Sequence, residues 1–80
     1  MKAKVEVFLK PGVLDVQGKA VENALHGLGW PGAANVRVGR VVTFDIAAAS
    51  AEVAMADVEA MCERLLANPV IESHRIEIVP

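Results

Sequence analysis

The stretch from Asn35 to Ala47 constrains the fold of this chain more than any other. It is rich in β-branched residues and holds no proline, the composition of a pleated, half-buried strand. Its even positions are Val36, Val38, Arg40, Val42, Phe44 and Ile46; its odd ones are Arg37, Gly39, Val41, Thr43 and Asp45. Successive side chains of a strand point to opposite faces, so the even row is the predicted buried one. Arg40 interrupts that row beside Gly39, a residue that permits a bulge or a turn. The stretch is therefore either one long strand bent at Gly39-Arg40 or two short strands joined there by a tight hairpin.

The flanking segments supply material to cover the even face. Residues 2–10 alternate, with Val5, Val7 and Leu9 on one side and Lys4, Glu6, Phe8 and Lys10 on the other, until Pro11-Gly12 stops the strand. Asp15 is placed to cap a helix. Val16, Ala20, Val21, Ala24, Leu25 and Leu28 recur at helical spacing, with Lys19, Glu22, Asn23 and His26 on the wet side. Gly18 inside that helix costs about 1 kcal/mol relative to alanine. Either it sits near an unstrained first turn or another backbone passes close by. Gly27, Gly29, Pro31 and Gly32 end the helix around Trp30. Ser50 caps a second helix, with Met55, Val58, Met61, Cys62, Leu65 and Leu66 as its apolar stripe, bounded by Pro69. From Ile71 the chain alternates again, His74, Ile76 and Ile78 against Arg75, Glu77 and Val79.

This order predicts an α+β fold spanning 1–80 as a single domain: a two-layer sandwich of a small sheet and two helices, β-α-β(β)-α-β. The sheet has three strands, the middle one in sequence long and bent or split into a hairpin. Short right-handed crossovers put both helices on one face. The other face stays bare and carries Phe8, Val41, Thr43 and Val79 beside Lys4, Glu6, Arg37 and Glu77. Phe8, Val41, Thr43, Val79 and Arg37 are the predicted interface with another protein chain. An 80-residue chain buries only about 60% of its unfolded surface. This one is 54% hydrophobic, above the roughly 45–50% of ordinary domains. Apolar surface in excess of one small core predicts an oligomer, a dimer or tetramer, or a subunit.

Chemistry is harder to find. A net charge of −2 without a basic stripe argues against nucleic acid, and no apolar run approaches the ~20 residues that span a membrane. A single cysteine makes no internal disulfide, which points to the cytoplasm. The glycines lack the spacing of a phosphate loop. His26 and His74, the only histidines, lack metal-ligand spacing and read as surface residues. Cys62, in the second apolar stripe, reads as a small hydrophobe. Asp45 and Asp57 have no partner identifiable from spacing. The residues predict no catalytic, cofactor-binding or metal site, and a binding or assembly module.

Three stretches carry a more specific signal: Lys10-Pro11-Gly12-Val13-Leu14-Asp15 running into Gln17-Gly18-Lys19-Ala20-Val21; Asn35-Val36-Arg37-Val38-Gly39-Arg40; and Cys62-Glu63-Arg64-Leu65-Leu66-Ala67-Asn68-Pro69-Val70-Ile71-Glu72. Together, in this order and at this chain length, they resemble the PurS family, the small subunit of phosphoribosylformylglycinamidine synthase. The family often has proline where Val16 stands, lysine at Arg40 and an aromatic at His74. The resemblance implies a subunit of an ATP-dependent ligase of de novo purine synthesis. That enzyme converts formylglycinamide ribonucleotide to its amidine with ammonia released from glutamine. ATP and Mg²⁺ belong to the large synthetase subunit, and a glutaminase subunit makes the ammonia. The small subunit is implied to be a non-catalytic, dimer-forming bridge that supports ammonia transfer. Glu22, His26 and Arg37 are exposed candidates for its docking contacts. The rival readings are a freestanding ACT-like small-molecule-binding regulatory domain, with its ligand at a dimer interface, and a small enzyme using Asp45 or Cys62.

Overall fold

The strand at the N-terminus organises the sheet. In the computed structural model, which describes residues Met1–Pro80, β1 (Lys2–Leu9) lies between β2 (Arg40–Asp45) and β3 (Glu72–Val79) and pairs antiparallel with both. The register sets Val5 opposite Val42 and Ile76, and Ala3 opposite Phe44 and Ile78, so one face is apolar across all three strands. Ala3, Val5 and Val7 are buried. β2 and β3 are the two sheet edges.

Helix α2 (Ala51–Met61) covers that apolar face. Ser50 caps it by accepting the Val53 amide at 3.2 Å, and Ala54 and Val58 are its buried residues. A π-helical turn, Cys62–Leu66, continues it and closes with the Ala67 amide donating to the Cys62 carbonyl. Cys62 and Ala67 join Ala3, Val5, Val7 and Val58 in a six-residue core, with Val42, Phe44, Ile46, Leu66, Ile76 and Ile78 packed at its margin. Burying each of the larger side chains is worth roughly 1.5–3 kcal/mol. No helix is long and apolar enough to cross a membrane.

The α+β class, the three strands and the two helices follow the expected element order. Three details differ. The Asn35–Ala47 stretch is neither a bent strand nor a hairpin: only Arg40–Asp45 joins the sheet, as an edge, and residues 35–39 run up to it outside the ladder. Gly39 is required by close approach, since a Cβ there would lie 2.6 Å from the Val7 carbonyl oxygen. In α2 the stripe is Ala54, Val58, Cys62 and Leu66, while Met61 and Leu65 are exposed. The wider π turn carries Leu66 over Cys62 and turns Leu65 outward.

The third difference concerns α1 (Val16–Gly27), which does not seat on the sheet. The hand of crossovers governs parallel strands. Here that rule reaches only β2 and β3, which run parallel on either side of β1 and are joined by α2. β1 and β2 are antiparallel neighbours, so nothing in the topology forces α1 onto the covered face. It forms an arm instead. The molecule measures 50 × 25 × 14 Å with a radius of gyration of 15.9 Å. A compact chain of this length would have about 12 Å. Only nine of the 80 residues are buried, which leaves most of the apolar side chains uncovered.

Replacing Gly39 with alanine forces its Cβ into the Val7 carbonyl, and overpacking of this kind costs about 1–3 kcal/mol. Gly12 has open space around it. Urea titration at fixed protein concentration is expected to show a lowered midpoint for Gly39→Ala and little change for Gly12→Ala. Equal midpoints would remove the close-approach account.

Candidate functional site

The arm is built by local rules and then tied to the strand that follows it. Asp15 caps α1 by accepting the Gly18 amide at 2.7 Å, and its other carboxylate oxygen accepts the Val38 amide at 2.7 Å. The Arg37 guanidinium lies 3.9 Å away. The Val38 amide, then the Gly18 amide, hold the Asp15 carboxyl below its ordinary pKa, against the opposing effect of burial. Glu22 accepts the Val36 amide at 3.1 Å, and that bond lowers its pKa as well. Gly18 lets the chain pass, because a Cβ there would clash with the Val36 carbonyl. Close approach of another backbone is therefore its role.

At its far end α1 closes in a Schellman arrangement. The Trp30 amide donates to the Leu25 carbonyl and the Gly29 amide to the His26 carbonyl, with Gly29 at φ +105°. His26 Nε2 lies 2.6 Å from the Ala33 carbonyl oxygen. Arg37 donates to the carbonyls of Lys10 and Val13, both at 3.1 Å. Glu22, His26 and Arg37, the expected docking candidates, thus each bond the chain's own backbone; His26 and Arg37 remain exposed and Glu22 is half-buried. The faces of α1 match the expected ones only in part: Leu25 turns inward and Lys19, Asn23 and His26 outward as expected, but Glu22 turns inward and the stripe's ends do not. Gly18, Glu22 and Leu25 turn toward the chain, and Val16 and Leu28 are each 71% exposed. Leu14, Val21 and Trp30 are exposed with them.

Of the predicted interface residues, Phe8, Val41, Thr43 and Val79 share the sheet face opposite α2, and all four are exposed. Arg37 stands apart from them, because the strand begins only at Arg40 and Arg37 sits at the root of the arm. The same sheet face carries the ion pairs Lys2–Asp45 and Lys4–Glu6, both at 3.6 Å and solvent-exposed, which contribute little. Helical spacing had marked the α1 stripe correctly as apolar. What a single sequence could not reveal is that no other part of the chain covers Val16 and Leu28.

Chemically reactive groups do not converge. Cys62 is buried, and burial followed by the nearby Glu59 and Glu63 charges pushes its thiol up, away from a thiolate nucleophile. His74 Nε2 faces Glu59 at 3.4 Å across α2 and β3. No group of three or more His, Cys, Asp or Glu side chains is disposed to hold a metal ion. A shallow crevice of about 640 Å³ between the sheet end and the arm is lined in part by Phe8, Leu9, Leu14 and Val36, with Glu22 and Arg37 among its polar residues. Both polar groups are engaged with the chain's own backbone.

Comparison with known proteins gives a consistent picture. The PurS family model, described as phosphoribosylformylglycinamidine (FGAM) synthase, matches residues 2–80. The chain is 43% identical to the PurS subunit of that synthase from Bacillus subtilis over 77 residues, covering 96% of this chain and 90% of that one. Identity to the Archaeoglobus fulgidus PurS subunit is 43% over 76 residues, 95% of each chain. Among solved structures, B. subtilis PurS superposes with a TM-score of 0.87 at 42% identity, covering 99% and 98% of the two chains. The Thermotoga maritima purS subunit gives 0.88 at 27% identity, covering 98% and 90%.

Because the folded-state pKa of Asp15 is depressed, its stabilisation is complete above the unfolded value of about 3.9. It is lost as pH falls through the lower folded value. Asp15→Asn is expected to weaken the arm at pH 7 and to flatten the loss of stability below pH 4. Urea titrations at both pH values, followed by Trp30 emission, measure this. Parallel pH slopes for variant and wild type would contradict the carboxylate's role.

Proposed function

The chain belongs to the PurS family of subunits of phosphoribosylformylglycinamidine synthase, and we propose that it joins the other parts of that enzyme. It is a non-catalytic subunit of a purine-biosynthetic ligase. In the proposed arrangement it bridges the synthetase subunit, which holds ATP and Mg²⁺, and the glutaminase subunit, and it keeps the route between them closed to water. Ammonia released into water at neutral pH is mostly protonated and no longer nucleophilic. Docking the two active sites around a shielded path preserves it. The assembly works in the cytoplasm.

The observation that carries this reading is the unseated helix. A stripe that includes Val16 and Leu28 faces solvent in the isolated chain, although burying apolar surface gains roughly 25 cal/mol per Å². Such a surface is completed by protein. We assign the α1 stripe to a second copy of the chain, as a dimer or in a tetramer. Phe8, Val41, Thr43 and Val79 form the sheet face that meets a neighbouring subunit, and Arg37 marks the contact at the arm's root. A sensor role has fewer groups to work with, because Asp15, Glu22 and Arg37 of the crevice beside the arm are engaged with the chain's own backbone, which leaves Lys19 and Asn35 as its polar side chains toward a ligand.

Two measurements test the proposal. Omitting this chain from the reconstituted synthase is expected to reduce glutamine-driven turnover by about 100-fold, the scale of loss from misplaced reacting centres. Turnover with added ammonia should largely survive, and equal loss of both would remove the bridging role. In sedimentation, the wild-type chain is expected to run as an oligomer. The pair Val16→Ser and Leu28→Ser should shift it to monomer with its far-UV spectrum intact, and a monomeric wild type would end the self-association reading.

A further inference from the structure

Residues 14–38 close on themselves. Asp15 accepts the Gly18 and Val38 amides, Glu22 accepts the Val36 amide, and His26 Nε2 meets the Ala33 carbonyl. The ion pairs of Lys19 with Glu22 and of Arg37 with Asp15 lie within the same bounds, as do the backbone bonds that end α1. Only Arg37 bonds across to the rest of the chain. Its Nη2 donates to the Lys10 and Val13 carbonyls, each at 3.1 Å.

Lys10 carries that connection into the sheet. Its carbonyl accepts the Val13 amide as well as the guanidinium, its own amide donates to the Ile71 carbonyl, and its Nζ donates to the Pro69 carbonyl, these three at 2.9 Å. The lead into β3 thus holds Lys10, and Lys10 holds Arg37. Packing at this root is open by contrast. Two crevices, of about 360 and 640 Å³, run in beside Leu14 and Asp15. Close packing is what transmits rigidity through a protein interior, and the joint lacks it. Gly39, pressed against the Val7 carbonyl, fixes where the returning chain meets the sheet, while Gly12 on the outgoing chain has free space around it.

We propose that residues 14–38 turn as one rigid body about the Gly12 and Gly39 passages, and that Arg37 is the latch that sets their angle to the sheet. Hinges of this kind need only a few loop residues to absorb the change in backbone angles. The Arg37 side chain is 41% exposed, so water competes for its donors and the latch opens without unfolding either part. Val16 and Leu28 travel with the arm, and the latch decides where they are presented.

Spin labels on Asn23→Cys of α1 and Glu52→Cys of α2 measure the angle in the full chain, diluted with unlabelled chain so that only distances within one copy are read. Both positions are exposed, and buried Cys62 takes no label. One narrow distance is expected with Arg37 in place. Arg37→Ala is expected to lower the ratio of latched to turned arms about tenfold, the scale of one hydrogen bond from a charged group, and so to broaden or split that distance. Arg37→Lys, which keeps a charged donor, should narrow it again. A pair within the arm, Asn23→Cys with Ala34→Cys, should stay narrow in every variant. The proposal is overturned if Arg37→Ala leaves the first distance unchanged, since packing or a neighbouring copy then holds the arm. It is overturned equally if the pair within the arm broadens too, since the arm then melts and does not turn, or if the first distance is already broad with Arg37 present.

Discussion

Asp15 accepts the Gly18 and Val38 amides through its two carboxylate oxygens, and the placement of α1 depends on those two hydrogen bonds. One oxygen starts α1, and the other fastens that start to the segment entering β2. Gly18 and Glu22 then align the helix along the same segment, Gly18 by leaving room for the Val36 carbonyl and Glu22 by accepting the Val36 amide. A helix bound in this way to its own downstream chain cannot also lie down on the sheet. The cover of the core is consequently supplied by α2, the π turn and Ala67 without α1, on a sheet whose middle strand is β1.

Much of this could be read from the residues. The alternation of Val5 and Val7, the caps Asp15 and Ser50, the helix end at the glycines and the final strand all rest on local chemistry, and they appear where that chemistry puts them. What escaped was the relation between elements. Val16 and Leu28 carry the periodicity of a buried face, and periodicity is silent on which chain does the burying. Leu65 fits the α2 stripe at regular helical spacing, and only the widened turn at Cys62–Leu66 moves it out. Gly18 was the available clue to the arm. A glycine inside a helix asks what comes near it, and here the answer is the Val36 carbonyl.

The ionisable groups tell the same story from the chemical side. Asp15, Glu22 and Glu72 are perturbed in the direction of the charged form by backbone amides or by Arg40, so their charges are used to fix chain segments. Cys62 is perturbed toward the neutral thiol inside the core. Perturbed groups often mark reactive sites, but these serve structure. For a subunit of a larger enzyme this is a coherent division: its polar chemistry shapes surfaces, and the reaction belongs elsewhere.

The two outer strands have a further bearing on the life of the molecule. β2 and β3 each border the sheet, and neither contains a proline to block an added strand. The isolated chain therefore exposes both borders together with the uncovered helix, the features on which aggregation and proteolysis act.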